Sequence, residues 1–379
     1  MTQEHITVNL KDRNYNIYIK KNILSNCSKY LKNLKLGKKI LIVTQEKVPT
    51  RFAKLLKIDF FKNGYKVFIL RMPSGEQYKD LTSLLKITRF AIQNNFERND
   101  SFCALGGGVI SDLTGFAASI YYRGINFISI PTTLLGMVDA SIGGKTAINI
   151  PEGKNLLGTF YQPRIIFIDP YCLKTLPQRE FLVGMGEVIK YALIEKTALT
   201  EFEKYKKITF FEYLKKNKKC ILRPNQKSIF EILFHAAKIK ATVVSKDEKE
   251  SNLRAILNFG HTFAHGIEQA YNYKKYTHGE AVSIGICLAY KLSMSKGLIS
   301  KTLCNKVIEL ISSYKLPTNI NEKKKISIII KAMLHDKKMK DGQLRFILPE
   351  NVIGKVKIVN DISINDINKL LHENAINNI

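Results

Sequence analysis

Short apolar runs alternate with longer stretches of helical periodicity through the first half of the chain. Five of these runs, rich in Val, Ile and Phe, predict buried strands at 38–44, 65–70, 101–106, 125–131 and 164–169. Between them, residues 48–64 and 80–95 carry apolar side chains at intervals of three and four, which predicts amphipathic helices. Alternating strands and helices are typical of a parallel sheet covered by helices, so this half predicts an α/β domain.

The pattern changes after residues 176–181, where strand signals fade and long helical patterns take over. A chain of 379 residues exceeds what one hydrophobic core usually supports. We therefore predict two domains, residues 1–176 and residues 177–379. The Lys-rich segment 203–227 predicts a helix and a solvated loop without chemistry.

The formal net charge of +28 raises the question of a polyanionic partner. The lysines are spread along the whole chain, however, and no recognition module with interleaved aromatic residues is visible. A general compositional bias explains the charge better than nucleic-acid binding does. The basic field would still help to collect a small anionic substrate.

The six cysteines show neither the close pairs of a zinc knuckle nor the density of a disulfide scaffold. No stretch approaches the roughly 20 apolar residues that span a bilayer, and the first residues do not have the pattern of a signal peptide. We expect a cytoplasmic protein with reduced thiols and no membrane partner.

A glycine-rich turn, GGGVISDLTGF (106–116), follows the predicted strand 101–106 and opens a helical pattern. Consecutive glycines allow backbone N–H groups to approach a pyrophosphate, and a helix N-terminus favours negative charge. The G-x-G-x-x-G spacing is absent, so a tight turn without a ligand is the alternative. Upstream, Glu76 and Lys79 suit a ribose and a phosphate, or simply begin a capped helix.

Three of the seven histidines, His261, His265 and His278, lie in a group of three motifs of the second half: GMGEVIKYA (184–192), NFGHTFAHGIE (258–268) and THGEAV (277–282). His261 and His265 are four residues apart on one helix face, but the H-E-x-x-H pattern of zinc proteases is absent. Glu187 and His278 are candidates to complete a divalent-metal site, although such a histidine pair is often structural. Residues 335–349 predict a hairpin entered by two adjacent lysines, which form either a solvated turn or an anion clamp.

Taken in order, the motifs from about Val43 to about Pro349 resemble the 3-dehydroquinate synthases, which are sugar-phosphate cyclases. The matching blocks are GGGVISDLTGF, YYRG, PTTLLGMVDASIGGKTAIN, GKNLLGTFYQP, GEVIKYA, LRAILNFGHTFAHGIE, HGEAV and DKK. The block PTTLLGMVDASIGGKTAIN through GKN is the most specific. Three positions depart from the family pattern: Gln45 replaces an Asp or Asn at the adenosine, Gly186 replaces Ala, and Ala264 replaces Gly.

The resemblance implies an N-terminal Rossmann-like NAD-binding α/β domain and a mainly α-helical C-terminal metal-binding domain, with the active site in the cleft between them. The residues implied to bind NAD are Glu76, Lys79, Gly106, Gly107, Gly108, Asp112, Thr132, Thr133, Asp139, Lys145, Lys154 and Thr175. Those implied to bind zinc, or cobalt in its place, are Glu187, His261 and His278. Those implied to contact the substrate are Asp139, Lys145, Asn155, Lys190, Lys240, Glu250, Arg254, Asn258, His265, Lys337 and, from the second subunit of a homodimer, Arg123.

The implied reaction converts 3-deoxy-D-arabino-heptulosonate 7-phosphate into 3-dehydroquinate and phosphate. It proceeds by transient oxidation at carbon 5, phosphate elimination, re-reduction, ring opening and aldol closure, a step of the shikimate pathway to aromatic amino acids. The alternatives are an NAD-dependent, metal-containing polyol dehydrogenase and a cyclase of another sugar phosphate. The cluster Arg123, Lys145, Asn155 and Lys190 argues against the dehydrogenase, which needs no phosphate pocket.

Overall fold

The computed structural model describes residues 5–200, 208–223, 226–338 and 344–375, without the side chains of 226 and 335–338. The chain divides into two compact units. The first contains the described residues up to Phe181 together with Ile229–Ser245, and the second contains Leu182–Ser228 and the chain from Lys246 onward. The division after residue 176 stays a prediction, and it does not anticipate that 229–245 joins the first unit.

The described strands, in chain order, are β1 His5–Val8, β2 Tyr15–Ile19, β3 Lys39–Gln45, β4 Lys66–Met72, β5 Ser101–Gly106, β6 Asn126–Pro131, β7 Lys145–Ile150, β8 Gly153–Phe160, β9 Ile165–Ile168, β10 Phe346–Pro349 and β11 Val356–Val359. The described α-helices are α1 Ser28–Leu31, α2 Thr50–Lys62, α3 Leu81–Gln93, α4 Gly108–Ile120, α5 Gln178–Ala198, α6 Phe210–Leu222, α7 Gln226–Lys246, α8 His261–Ala270, α9 His278–Ser295, α10 Lys301–Ser313, α11 Ile326–Lys338 and α12 Ile364–Asn374.

The first unit is built on a seven-stranded sheet in the order β1-β2-β9-β6-β5-β3-β4. All neighbouring strands are parallel except β1 and β2, which pair antiparallel at one edge. Every residue of β5 is buried, which is why its sequence reads as an uninterrupted apolar run. Beyond the sheet, β7 and β8 form a separate antiparallel hairpin.

The second unit is mainly helical. Helix α9 is buried along most of its length and packs against α8, α10 and α12. A capping box begins α9, because the Thr277 and Glu280 side chains reciprocally bind each other's backbone N–H groups. The antiparallel strands β10 and β11 form a hairpin that contacts α9.

The strands and helices predicted for the first half are confirmed, each to within a few residues. The prediction of a hairpin entered by adjacent lysines is wrong, because those lysines end helix α11; the described hairpin begins at Phe346, and residues 339–343 lie outside the described residues. Apolar spacing continues through residues 326–334, so helical periodicity extends to the lysines. In the segment 203–227, α6 confirms the helix, while 201–207 and 224–225 lie outside the described residues. None of the described helices has the length and apolarity to cross a bilayer.

Candidate metal centre and nucleotide-binding turn

Three side chains of the second unit converge on one point. Glu187 lies on α5, while His261 and His278 are the first residues of α8 and α9. The Glu187 Oε1 atom lies 3.7 Å from His261 Nε2 and 3.6 Å from His278 Nε2. Among the described residues, this trio is the cluster of His, Cys, Asp and Glu that can hold a metal, with ligand atoms within 4.8 Å of one another.

Glycines next to the ligands let the helices approach this closely. A Cβ atom on Gly186 would lie 2.5 Å from the Gly279 carbonyl oxygen, and one on Gly279 would lie 1.9 Å from the Val183 carbonyl oxygen. Backbone contact between α5 and α9 therefore sets the separation of Glu187 and His278. Gly260, which precedes His261, has a φ of +80° and also packs against backbone of α9, so the turn requires glycine.

The Nδ1 atoms of both histidines lie within hydrogen-bonding distance of groups other than Glu187. His261 Nδ1 lies 3.1 Å from the Phe259 carbonyl oxygen, and His278 Nδ1 lies 3.3 Å from Glu268 Oε1. These contacts hold the proton on Nδ1 and leave Nε2 as the metal-binding atom. Sequence reasoning missed Glu268, although its position seven residues after His261 places both on one face of α8.

Lys190 lies one turn after Glu187, and its Nζ contacts Glu187 Oε2. Both side chains are almost completely buried. Burial lowers the pKa of His261 from 6.5 to about 3, and the Lys190 ammonium contributes to this decrease. Burial also lowers the pKa of His278, but hydrogen bonds with Glu187 and Glu268 outweigh it and raise that pKa to about 10.

This donor set fits a divalent transition-metal ion. One carboxylate and two imidazoles are the ligands of many catalytic zinc sites, which keep a fourth position for substrate or water. Ligands about 2.0–2.1 Å from an ion at tetrahedral angles lie roughly 3.3 Å apart. The two separations between Glu187 Oε1 and the histidine Nε2 atoms are a few tenths of an ångström wider than this value.

His265 is a neighbour of the trio but not part of it. Its ring lies edge-on to that of His261, with centroids 5.5 Å apart, and its side chain is exposed. In this geometry His278 joins His261 at Glu187, and His265 lies one turn along α8, while the role of these histidines as metal ligands stays a prediction. An exposed imidazole beside a metal ligand is placed to exchange protons.

The glycine-rich turn of the first unit joins β5 to α4. Helix α4 begins at Gly108 after Gly107, which has no side chain to cap it, so the first N–H groups of the helix are available to an anion. The Thr132 N–H donates to the Gly106 carbonyl at 2.8 Å. A Cβ atom on Gly107 would lie 3.2 Å from Thr133 Cγ2, so the strand-to-helix turn packs directly against the predicted threonines.

Lys79 brings two other predicted residues together beside this helix. Its Nζ lies 2.5 Å from Asp112 Oδ2 and 2.5 Å from Asn155 Oδ1. Asn149, which sequence reasoning did not single out, donates from Nδ2 to Glu76 Oε1 at 2.9 Å and accepts from the Asn155 N–H at 3.0 Å. It lies in strand β7, so the β7–β8 hairpin orients Glu76 and Asn155.

Two further pairs of predicted residues are joined by hydrogen bonds, one pair in each unit. Lys240 on α7 donates to Asp139 Oδ1 at 2.6 Å and to the Asp139 carbonyl at 2.7 Å in the first unit. In the second unit, Asn258 Nδ2 donates to Glu250 Oε1 at 2.5 Å. Arg254 is 1% exposed in the same segment.

The remaining predicted residues lie elsewhere in the two units. Lys145 begins β7 and Lys154 lies in β8, while Thr175 ends a 3₁₀ turn and donates its hydroxyl to the Cys172 carbonyl at 3.0 Å. Arg123 is exposed after α4 with a φ of +60°. Gln45 ends β3. The Lys337 side chain lies outside the described residues.

Comparison with known proteins agrees with this geometry. Residues 69–183 match the family model "3-dehydroquinate synthase N-terminal", and residues 184–339 match "3-dehydroquinate synthase C-terminal". A 3-dehydroquinate synthase from Prochlorococcus marinus (strain MIT 9515) is 44% identical over 366 residues, 96% of this chain and 97% of that protein.

Two solved structures are similar over nearly the whole chain. The 2-epi-5-epi-valiolone synthase of Streptomyces hygroscopicus subsp. jinggangensis 5008, with NAD+ and Zn2+ bound, has a TM-score of 0.84 at 27% identity and covers 96% of this chain and 97% of its own. A 2-deoxy-scyllo-inosose synthase complexed with carbaglucose-6-phosphate, NAD+ and Co2+ has a TM-score of 0.84 at 26% identity, covering 98% and 100%. Both family models and the full-length relative place this chain: it belongs to the 3-dehydroquinate synthase family.

Proposed function

We propose that this chain converts 3-deoxy-D-arabino-heptulosonate 7-phosphate into 3-dehydroquinate and inorganic phosphate. The observation that carries the proposal is the buried Glu187 facing two imidazoles, in a chain 44% identical to a synthase of this name. A site of this kind suits a substrate with adjacent hydroxyl groups that must lose protons. The two solved cyclase structures named above are 27% and 26% identical to this chain, and so are less similar in sequence than that synthase.

NAD and a divalent ion, zinc or cobalt, are the cofactors of this function. When bound, NAD would supply hydride-transfer chemistry, and the ion would supply a Lewis acid. Gly106, Gly107 and Gly108 with the N-terminus of α4 would hold the pyrophosphate, since backbone N–H groups there are free of a side-chain cap. Glu187, His261 and His278 would hold the ion, and Glu268 would orient His278.

His265 is the residue we assign to proton transfer at the carbon 5 hydroxyl. It stands beside His261, it is exposed, and an imidazole titrates near neutral pH. Lys145, Asn155, Lys190 and Arg123 are assigned to the phosphate group, and Arg254 with Lys337 to the carboxylate. Asn155 carries support from its contact with Lys79, which brings a cation to the same carboxamide.

A homodimer is part of this proposal, because Arg123 is assigned to the active site of the second subunit. Strand β8 supplies a surface for it: Leu156, Leu157 and Phe160 are 48%, 46% and 43% exposed, and Tyr122 beside Arg123 is 57% exposed. Exposed apolar side chains on a strand with one neighbour are typical of an interface.

We also place the enzyme in the cytoplasm, where its six free cysteines stay reduced.

The test is phosphate release from 3-deoxy-D-arabino-heptulosonate 7-phosphate with a catalytic amount of NAD, with and without a chelator. We expect phosphate in large excess over NAD, no accumulation of NADH, and loss of turnover on chelation. Stoichiometric NADH without phosphate would instead identify a dehydrogenase. Release of phosphate only from other sugar phosphates would identify a cyclase of different specificity.

Two substitutions separate metal binding from proton transfer. Glu187→Ala should lose bound zinc and turnover together, because it removes the central ligand. His265→Ala should retain zinc and lose roughly 10²–10⁴-fold in turnover, the usual scale for an acid–base group. Zinc content by atomic emission and the rate of phosphate release measure both effects; full turnover in His265→Ala would remove that residue from the mechanism.

A further inference from the structure

One carboxylate organises the segment that carries several of the substrate residues. Asp247 follows the last residue of α7 and is buried. Its Oδ1 accepts hydrogen bonds from the Ser251 N–H and the Ser251 hydroxyl, both at 3.0 Å. Its Oδ2 accepts from the N–H groups of Asn252 at 2.8 Å and Arg254 at 2.9 Å. Asp247 thus gathers the donors of the turn and of the 3₁₀ helix 253–258 that follows it.

The position of Asp247 is otherwise unfavourable for an acid. The C-terminal end of a helix carries partial negative charge, which repels a carboxylate. The backbone N–H groups of Ser251, Asn252 and Arg254 more than offset this repulsion. The Asn252 side chain makes no capping hydrogen bond to the 3₁₀ helix that it precedes. Burial raises the pKa of Asp247, but hydrogen bonds from Arg254, Asn252 and Ser251 outweigh it and lower that pKa to about 2.

The segment that Asp247 holds presents two groups assigned to the substrate. Glu250 has a φ of +61°, a left-handed conformation that a Glu adopts only when its surroundings enforce it. Its carboxylate is then within 2.5 Å of Asn258 Nδ2. Arg254 is buried, its backbone N–H bonds Asp247 and its guanidinium contacts the Glu248 carbonyl, so backbone and side chain are both held.

We propose that Asp247 is a positioning residue, which holds Glu250 and Arg254 in the geometry that binds the anionic substrate. This inference rests on the proposed function for the identity of the substrate. Asp247 acts through its neighbours and is not itself assigned a contact with substrate or cofactor. Since the effect is on a preformed binding surface, it falls mainly on substrate binding.

The first test is Asp247→Asn, assayed in the zinc- and NAD-loaded enzyme. The asparagine keeps the shape but replaces one acceptor oxygen with an NH2 group, which cannot accept from the N–H groups. We expect KM for the heptulosonate phosphate to rise about tenfold or more, the equivalent of about 1.4 kcal/mol or more, with zinc content unchanged and a smaller change in kcat. A KM equal to that of the wild type, measured under the same conditions, would overturn the inference.

A matched control separates positioning from general stability. Asp59 in the first unit is also buried, and it accepts from the Ser28 N–H and hydroxyl, each at 2.8 Å. Asp59→Asn should lower the melting temperature and leave KM unchanged. If both variants lower stability and both raise KM equally, Asp247 has no specific role and the inference fails.

A double-mutant cycle tests the route of the effect. In an Arg254→Ala background, Asp247→Asn should raise KM by clearly less than the about tenfold expected in the wild-type background, because one of the two groups that it positions is already gone. A full tenfold increase in that background would show that Asp247 does not act through Arg254 and would overturn that part of the proposal.

The hydrogen bonds to Asp247 can also be tested on the wild-type protein, without a substrate and without a variant. Amide hydrogen exchange resolved to single residues should show Ser251, Asn252 and Arg254 protected at least about tenfold relative to an unstructured peptide. Free exchange at all three would overturn the inference whatever the enzyme's substrate is. Conversely, protected amides with no phosphate release by the wild type would reject the proposed function and leave the role of Asp247 in ordering this segment standing.

Discussion

At the scale of single residues, the contact that Lys190 makes differs from the contact predicted for it. It was assigned to the substrate phosphate, and the structure shows its ammonium at Glu187 Oε2 while Oε1 faces the two imidazoles. A buried carboxylate needs a cation nearby, and the Lys190 ammonium supplies one. The two oxygens of Glu187 therefore have separate partners, which favours a single oxygen as the metal ligand.

Replacing Lys190 tests this division of roles. Lys190→Met should destabilise the metal-free protein by about 3–5 kcal/mol, the usual cost of leaving a buried charge without its partner. Zinc should recover most of that loss, because the ion then compensates Glu187. Urea unfolding with a chelator and with zinc measures both. As a control, Lys296→Met breaks an exposed pair with Asp366 and should cost about 0–1 kcal/mol in either condition; equal losses for Lys190→Met with and without zinc would contradict the argument.

Asp112 gives a second residue-scale prediction, from its titration. Burial raises the pKa of Asp112 from 3.8 to about 6, although the Lys79 ammonium acts in the opposite direction. A raised folded-state pKa contributes stability that is present below the unfolded value and is lost as pH rises through about 6. Asp112→Asn removes this dependence, so the stability of the variant relative to wild type should increase from pH 4 to pH 7.

The midpoint of urea unfolding, measured at intervals between pH 4 and pH 7, checks the sign. Asp12→Asn, which removes an exposed carboxylate, is the control for the loss of one negative charge. A difference between wild type and Asp112→Asn that stays constant with pH would contradict the burial argument.

At the scale of elements, the spacing of α5 and α9 sets the distance between two side chains of the candidate metal site, Glu187 and His278. Gly279→Ala would place a Cβ atom 1.9 Å from the Val183 carbonyl oxygen and 2.7 Å from its carbonyl carbon. Both atoms are backbone, so the helices must separate, and Glu187 must move away from His278. We expect bound zinc to fall well below one ion per chain and stability to drop by about 1–3 kcal/mol or more.

Gly297→Ala is the matched control for that substitution. Gly297 has a φ of +71° and no atom within 4 Å of a built Cβ, so the change brings about 1 kcal/mol of backbone strain without a collision. Its zinc content should equal that of the wild type. Wild-type zinc content in Gly279→Ala would show that the close helix contact does not set the site.

At the scale of the whole molecule, the proposed homodimer is tested on strand β8. A double substitution, Leu157→Asp with Phe160→Asp, places charges in the exposed apolar surface and should convert the dimer to a monomer. Phe61→Asp, on an exposed face of α2, is the control and should leave the mass unchanged. Light scattering coupled to size-exclusion chromatography measures the mass; a wild-type monomer would contradict the assignment of Arg123 to the second subunit.

Much of the fold was predictable because its signals are local. The central strands β3, β5 and β6 are buried on both faces and give apolar runs, and α2 and α3 have clear amphipathic periods. The hairpin β7–β8 was not predicted as strands. Only Thr146 and Ile148 are buried in β7, and six of the eight residues of β8 are exposed, so the apolar run that marks a fully buried strand is missing.

By itself, the sequence determined the family, the glycine-rich turn after β5 and the candidate metal-binding side chains, because each lies in a short motif with a definite spacing. Only the tertiary structure decided which atoms meet: that Glu187 Oε1 serves the imidazoles while Oε2 meets Lys190, that Glu268 holds His278, and that Asn149 joins Glu76 to Asn155. These contacts join residues on different elements, and they depend on how closely helices and hairpins pack. Close approach through Gly186 and Gly279 is a property of backbones in space, which no spacing along one chain segment specifies.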